Sequence, residues 1–208
     1  VLRRHEVAAT TGDPSIAERS AADAGAAVAA LAAARDDDRV IVLETPRLRL
    51  RHFVPDDDAY VIEQVNDPLW RKFIGHRDVR TKDEARAYLA RGPLAMYERH
   101  GFGLWAAETR VSNTVIGMCG LIRRDGLDDV DIGFALLPAY RGQGYAFEAA
   151  AATLRHGHAV CGLARIVAIT SPDNQRSAAL LTAIGMRREG TVHLAEHAEP
   201  SLLFASEA

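Results

Sequence analysis

Cysteine is scarce in this chain of 208 residues: Cys119 and Cys161 are the only two. They have no metal-ligand spacing and give no disulfide framework, and both stand in apolar segments, so the reading is two reduced thiols in the interior, with no metal site. An excess of basic residues is also missing. Lysine and arginine number 25 against 28 acidic residues, and the formal net charge of -3 argues against phosphate-backbone binding, so no nucleic-acid partner is expected. No run approaches the roughly 18 to 20 apolar residues needed to cross a bilayer. The nearest, Ala24 to Ala34, is mostly alanine and follows Glu6, Asp13, Glu18 and Asp23, where a secretory leader would carry positive charge. The expectation is a cytoplasmic protein with no membrane partner, built as one domain with an appendage.

The appendage is residues 1–40, alanine-rich and poor in large apolar side chains, ending in the charge run Arg35 to Arg39. Asp13-Pro14 suits the start of a helix, but only Ile16, Val28 and Leu31 are available to pack it, so it is expected to be helical or loosely attached. From Val40 the pattern turns to alternation. Leu48, Leu50 and His52 fall on one side and Arg47, Arg49 and Arg51 on the other, predicting a half-buried strand with the arginines on a solvated face. Residues 55–67 and 81–99 read as helices, the second opened by the capping box of Thr81 and Glu84. Trp70 to His76 between them reads as a substrate-side loop. Strands follow near 103–109, 115–124, 129–137 and 165–170, with a closing hairpin of 186–194 and 201–206.

What is present in abundance is anion-binding geometry. A strand ending at Pro138 runs through Arg141-Gly142-Gln143-Gly144-Tyr145-Ala146 into a helix. The glycines let the backbone bend and approach a ligand, and the free N–H groups of the first helical turn point at whatever binds. In that helix Phe147, Ala150, Ala151, Leu154 and His158 form the expected inner stripe, and His156 and His158, with no third ligand nearby, are not read as a metal site. A second strand ends in Ser171-Pro172-Asp173-Asn174, and Asn174-Gln175-Arg176-Ser177 opens a helix that closes at Gly185. The loop carries neither Gly-x-x-x-x-Gly-Lys-Ser/Thr nor Gly-x-Gly-x-x-Gly, which disfavours a nucleotide-binding regulator.

The pattern that does stand there, Arg-x-x-Gly-x-Ala on Arg141, Gly144 and Ala146, resembles the acyl-CoA pyrophosphate loop of the Gcn5-related N-acetyltransferases (GNAT). Asp131 to Pro138 is similar to that family's central strand, and Asn174-x-x-Ser177 with Ile184-Gly185-Met186 to its following helix. Leu43 to Arg51 resembles the first strand of the ribosomal-protein N-acetyltransferase branch, so the likeness runs over residues 41–208. It implies an α/β fold with a mixed, mostly antiparallel sheet of six to seven strands, splayed at the cofactor site and flanked by about four helices. The implied activity is acetyl transfer from acetyl-CoA to a primary amine, either a protein N-terminus or a small molecule, by a monomer or homodimer.

The resemblance also implies roles. Backbone groups of Phe134, Ala135, Leu136 and Leu137 would pair with the pantetheine arm, Asn174 would hold it from the other side, and Arg141, Gly142, Gln143, Gly144, Tyr145 and Ala146 would hold the pyrophosphate. Asp131 or Glu196 would accept the amine's proton, and Ser177 would return one to the thiolate. One departure stands out: many relatives place a Tyr proton donor where Leu181 stands. An acyl-CoA-binding module without turnover is therefore the alternative.

Overall fold

Proline cannot donate to a strand ladder, and Pro46 interrupts the first alternating stretch. In the computed structural model, which describes residues 39–194 and 199–208, that stretch is a hairpin and not one strand. Ile41–Glu44 (β1) and Leu48–Arg51 (β2) pair antiparallel, and the turn is tied by Thr45, whose hydroxyl accepts the Leu48 N–H at 2.9 Å. The extra strand explains why the sheet has eight strands where six to seven are expected. The others are Leu104–Thr109 (β3), Val115–Ile122 (β4), Val130–Leu136 (β5), Arg165–Thr170 (β6), Arg187–Val192 (β7) and Ser201–Glu207 (β8), in the order β1-β2-β3-β4-β5-β6-β8-β7. Every neighbouring pair is antiparallel except β5 and β6.

A parallel pair requires a crossover, and Tyr145–Ala159 (α5) supplies it. It packs on one face of the sheet with Gln175–Ala183 (α6), over a core that includes Leu50, Trp105, Ile132, Leu154 and Leu181. Asp58–Asn66 (α1), Pro68–Phe73 (α2) and Lys82–Leu89 (α3) cover the other face around Tyr60, Val65, Trp70, Leu89 and Met118. The alternation of Trp105 and Ala106 between these two cores is the period of two that a strand imposes. The capping box forms: Thr81 accepts the Glu84 N–H, and Glu84 accepts the Thr81 N–H at 2.9 Å. Pro93 lacks the N–H an α-helix would use there, and Ala90–Leu94 widens into a π-turn before Ala95–His100 (α4).

Three expectations are corrected. Arg51 is not on a solvated face. It is 1% exposed, gripping Asp57 through Nη1 and Nη2 at 2.9 Å each and Glu108 through Nε at 2.8 Å, while Arg49 reaches Glu108 at 3.0 Å. The segment after residue 67 begins as a helix and not a loop, because Asp67 accepts the N–H groups of Leu69 and Trp70 and Pro68 fits the first turn. Helix α5 buries Ala150 and Leu154 as expected, but the rest of its inner face is Ala149, Ala152, Thr153 and Gly157, leaving Phe147 47% exposed and His158 at the edge of the core. The close fit is the reason: a Cβ on Gly157 would lie 2.5 Å from Ile166 Cδ1. The alanine-rich extension lies outside the described residues up to position 38.

Candidate active site

The site begins where β5 leaves β6. The two strands pair only at Val130 with Ile166 and Asp131 with Val167, whereas β5 stays on β4 to Leu136 and β6 stays on β8 along its length. Each strand thus follows its antiparallel partner and a wedge opens between them. The Leu137 N–H bonds to the Ile116 carbonyl, which fixes the ladder phase: Asp131, Gly133 and Ala135 turn their peptide groups to β4, and Phe134 and Leu136 turn theirs to the wedge. The Leu136 carbonyl accepts Arg141 Nε at 2.9 Å. Phe134 lies deeper in the wedge, with a donor and an acceptor suited to an extended amide-bearing ligand.

At the wide end of the wedge stands the cradle. Pro138–Tyr140 makes a single 3-10 turn, Arg141 is extended, and Gly142 and Gly144 take the left-handed conformation at φ 74° and 80°. That is the conformation a side chain disfavours and glycine tolerates. Gly144 is the N-cap of α5 and has no side chain with which to cap it, so the first-turn N–H groups are left to an external acceptor. Residues 141–146 therefore fit a bound diphosphate by their donors and by the sign of the helix dipole. The Gln143 side chain is engaged within the loop, its Nε2 donating to the Ala139 carbonyl at 2.8 Å.

The Arg141 guanidinium is bound to Asp67, with Nη2 to Oδ1 at 2.7 Å. Burial by itself would raise the Asp67 carboxyl, but the Arg141 contact and the capping N–H groups of Trp70 and Leu69 bring it below the usual carboxylate range. This bridge joins the cradle to the N-terminus of α2. Asp67 is invisible to motif reading, although Asp-Pro before an apolar run is a cap signal.

Across the wedge, Asn174 caps α6, its Oδ1 accepting the Ser177 N–H at 3.2 Å, and Ser177 is half-buried in the first turn. Asp131 is 2% exposed at the start of β5, and its Oδ2 accepts Arg124 Nη2 at 3.0 Å and Nε at 3.1 Å, so Arg124 competes for the oxygen that would take a proton. Glu196 lies outside the described residues. Leu181 is buried in the core beneath α6, so only hydrocarbon stands at the position where a Tyr proton donor was looked for. Cys119 is buried 3.3 Å from the Thr153 hydroxyl; burial pushes its thiol up to about 12, which makes it inert. Among the described residues no group of three or more His, Cys, Asp or Glu could hold a metal ion, and no helix is long and apolar enough to cross a membrane.

The sequence puts Arg47 on a solvated face and gives Glu148 no role, yet the two meet. Arg47 Nε meets Glu148 Oε2 at 2.6 Å, and its Nη1 donates to the Gln143 carbonyl at 2.9 Å, from within the β1–β2 turn. A signal existed: an acidic residue in the first turn of a helix that is to bind an anion needs a cation nearby.

Known proteins share this fold. Residues 47–187 match the family model of the acetyltransferase (GNAT) domain. An uncharacterised N-acetyltransferase of Bacillus subtilis, YnaD, is 32% identical over 148 residues, covering 71% of this chain and 84% of that protein. Among solved structures, a GNAT-family acetyltransferase from Bacillus anthracis superimposes with a TM-score of 0.66 at 27% identity, over 79% of this chain and 97% of the other. The ribosomal-protein-S5-alanine acetyltransferase of Vibrio fischeri shares the fold at a TM-score of 0.65 and 20% identity, over 79% and 95% of the two chains. The wedge, the uncapped helix with its left-handed glycines, and these matches together make the chain a member of the GNAT family of N-acetyltransferases.

Proposed function

We propose that this enzyme transfers the acetyl group of acetyl-CoA to a primary amine by direct attack on the thioester, in the cytoplasm. The observation that carries the reading is the pairing of β5 with β6 for two residues only, beside an α5 N-terminus that no side chain caps. The wedge suits the pantetheine arm and residues 141–146 suit the diphosphate. Backbone groups of Phe134 and Leu136 hold the arm from one side and Asn174 holds it from the other, whereas Ala135 and Leu137, expected to share this role, turn their peptide groups to β4. The amine nitrogen bonds to the thioester carbonyl carbon, the carbon–sulfur bond breaks, and the amine's proton passes to a carboxylate.

Glu196 is the preferred acceptor of that proton because Arg124 already occupies Asp131. A lysine-like amine is only about one part in 10³ neutral at pH 7, a cost of about 4 to 5 kcal/mol, against about 1 kcal/mol for an α-amine. An α-amine of a peptide or protein therefore asks least of a weak base. The Vibrio fischeri neighbour, named for acetylation of an alanine of a ribosomal protein, supports the same acceptor class. Small-molecule amines are the second acceptor class, and a monomer or homodimer would serve either.

Ser177 supplies the proton to the departing thiolate, the slot of Leu181 having none to give. Ser177→Ala is expected to lower kcat by about 10²-fold, the low end of general-acid effects, with acetyl-CoA affinity held within about threefold. Single-turnover kinetics beside calorimetric binding check this, and an unchanged kcat would show that the thiolate leaves unassisted. The buried Leu181 also favours a second reading, an acyl-CoA-binding module without turnover. The two separate on one observation: the module binds acetyl-CoA but releases no thiol with any amine.

A further inference from the structure

An anion-binding helix N-terminus with a glutamate in its first turn carries its own repulsion. Glu148 stands four residues after Gly144, and its carboxylate would oppose a diphosphate in the cradle unless neutralised. The β1–β2 turn neutralises it. Glu148 Oε1 accepts the Thr45 hydroxyl at 2.6 Å and the Arg47 backbone N–H at 2.8 Å, and Oε2 accepts Arg47 Nε at 2.6 Å. Burial alone would raise the Glu148 carboxyl, but these bonds from Thr45 and Arg47 bring it below its ordinary value.

Arg47 then reaches past Glu148. Nη1 donates to the Gln143 carbonyl at 2.9 Å, the guanidinium lies 4.4 Å from the centre of the Tyr145 ring, and Nη2 would be 3.3 Å from a Cβ at Gly144. One side chain thus holds the residues on either side of the left-handed N-cap. A trans peptide directs its C=O and the next N–H to opposite sides. With the Gln143 carbonyl held toward Arg47, the Gly144 N–H faces the other way, away from Arg47.

We propose that Arg47 is a positioning residue for the diphosphate of the acyl donor: it cancels the Glu148 charge and fixes the Gln143–Gly144 peptide so that its N–H meets the anion. This rests on the acetyl-CoA reading above, but it assigns a role to a residue outside the loop that would bind the donor. Arg47 itself does not touch the reacting atoms, so its loss should weaken donor binding and spare the chemical step.

The test compares two donors that share a thioester and a pantetheine arm, acetyl-CoA and acetyl-pantetheine, the second lacking the diphosphate and the phosphorylated adenosine attached to it. For Arg47→Met the expected result is a KM and calorimetric Kd for acetyl-CoA raised about tenfold or more, with kcat at saturation and the constants for acetyl-pantetheine unchanged. Arg47→Lys keeps a charge for Glu148 but cannot also reach the Gln143 carbonyl with a second arm, and should fall between. Equal losses on both donors would overturn the proposal as a general structural effect, and so would no loss on either. A wild-type protein that binds acetyl-CoA no better than acetyl-pantetheine would instead sink the diphosphate assignment on which the role of Arg47 depends.

Discussion

Replacing Gly144 with glutamate is expected to abolish acetyl-CoA binding. The residue sits at φ 80°, where an L side chain costs about 1 to 2 kcal/mol. Its Cβ would stand 3.3 Å from Arg47 Nη2, at the N-cap of the helix whose free N–H groups face the ligand. The new carboxylate would add negative charge at the rim of a space shaped for an anion and compete with Glu148 and the Gln143 carbonyl for Arg47. Like charges brought together in an interface cost several kcal/mol, so affinity should fall by at least about 100-fold. Gly144→Ala carries the strain without the charge and should lose about tenfold. Calorimetric titration of both variants separates the two effects, and equal losses would show that backbone strain alone governs the site.

The largest effect on stability is expected at Arg51. Its guanidinium is the cation for two carboxylates that are themselves buried, Asp57 at 6% and Glu108 at 1% exposure. Burial would lower its pKa, but the two carboxylates more than offset this and raise it. Arg51→Ala leaves Arg49 and Arg39 still on Glu108, at 3.0 and 3.5 Å, but takes away the arginine that grips both Asp57 oxygens. Removing one partner of a buried pair costs about 3 to 5 kcal/mol. In a domain of this size that lowers Tm by roughly 10 °C, read by thermal unfolding. Folded Arg51→Ala should keep the acetyl-CoA Kd of the wild type, because Arg51 makes no contact with the cradle. An unchanged Tm would mean that water or nearby arginines replace the lost cation.

The geometry of the cradle was legible because its physics is local. Gly142, Gly144 and the helix start at Tyr145 lie within a few residues of one another, and Asn174 caps α6 as the spacing to Ser177 requires. The splay of the sheet came from the family resemblance, and the strand order was not read at all, since no periodicity says which strands pair. What stayed hidden depends on distant segments meeting. Arg47 and Glu148 are 101 residues apart in the chain, and Arg141 and Asp67 are 74 apart. Alternation alone put Arg51 on a wet face, because the period of two cannot tell a solvated side from one closed by Asp57 and Glu108. Phe147 was misplaced for a related reason: with glycine and alanine available, α5 packs by closeness of approach, not by the size of its largest apolar residue.

The most direct test of the central claim is the release of free CoA from acetyl-CoA, measured by a thiol reagent across a panel of peptide α-amines and small-molecule amines, with mass detection of the acylated product. The expected result is amine-dependent thiol release matched mole for mole by an acetylated amine, fastest for an α-amine. Tight binding of acetyl-CoA with no thiol released above the uncatalysed rate for any amine would contradict it, and would assign this wedge and cradle to a binding module.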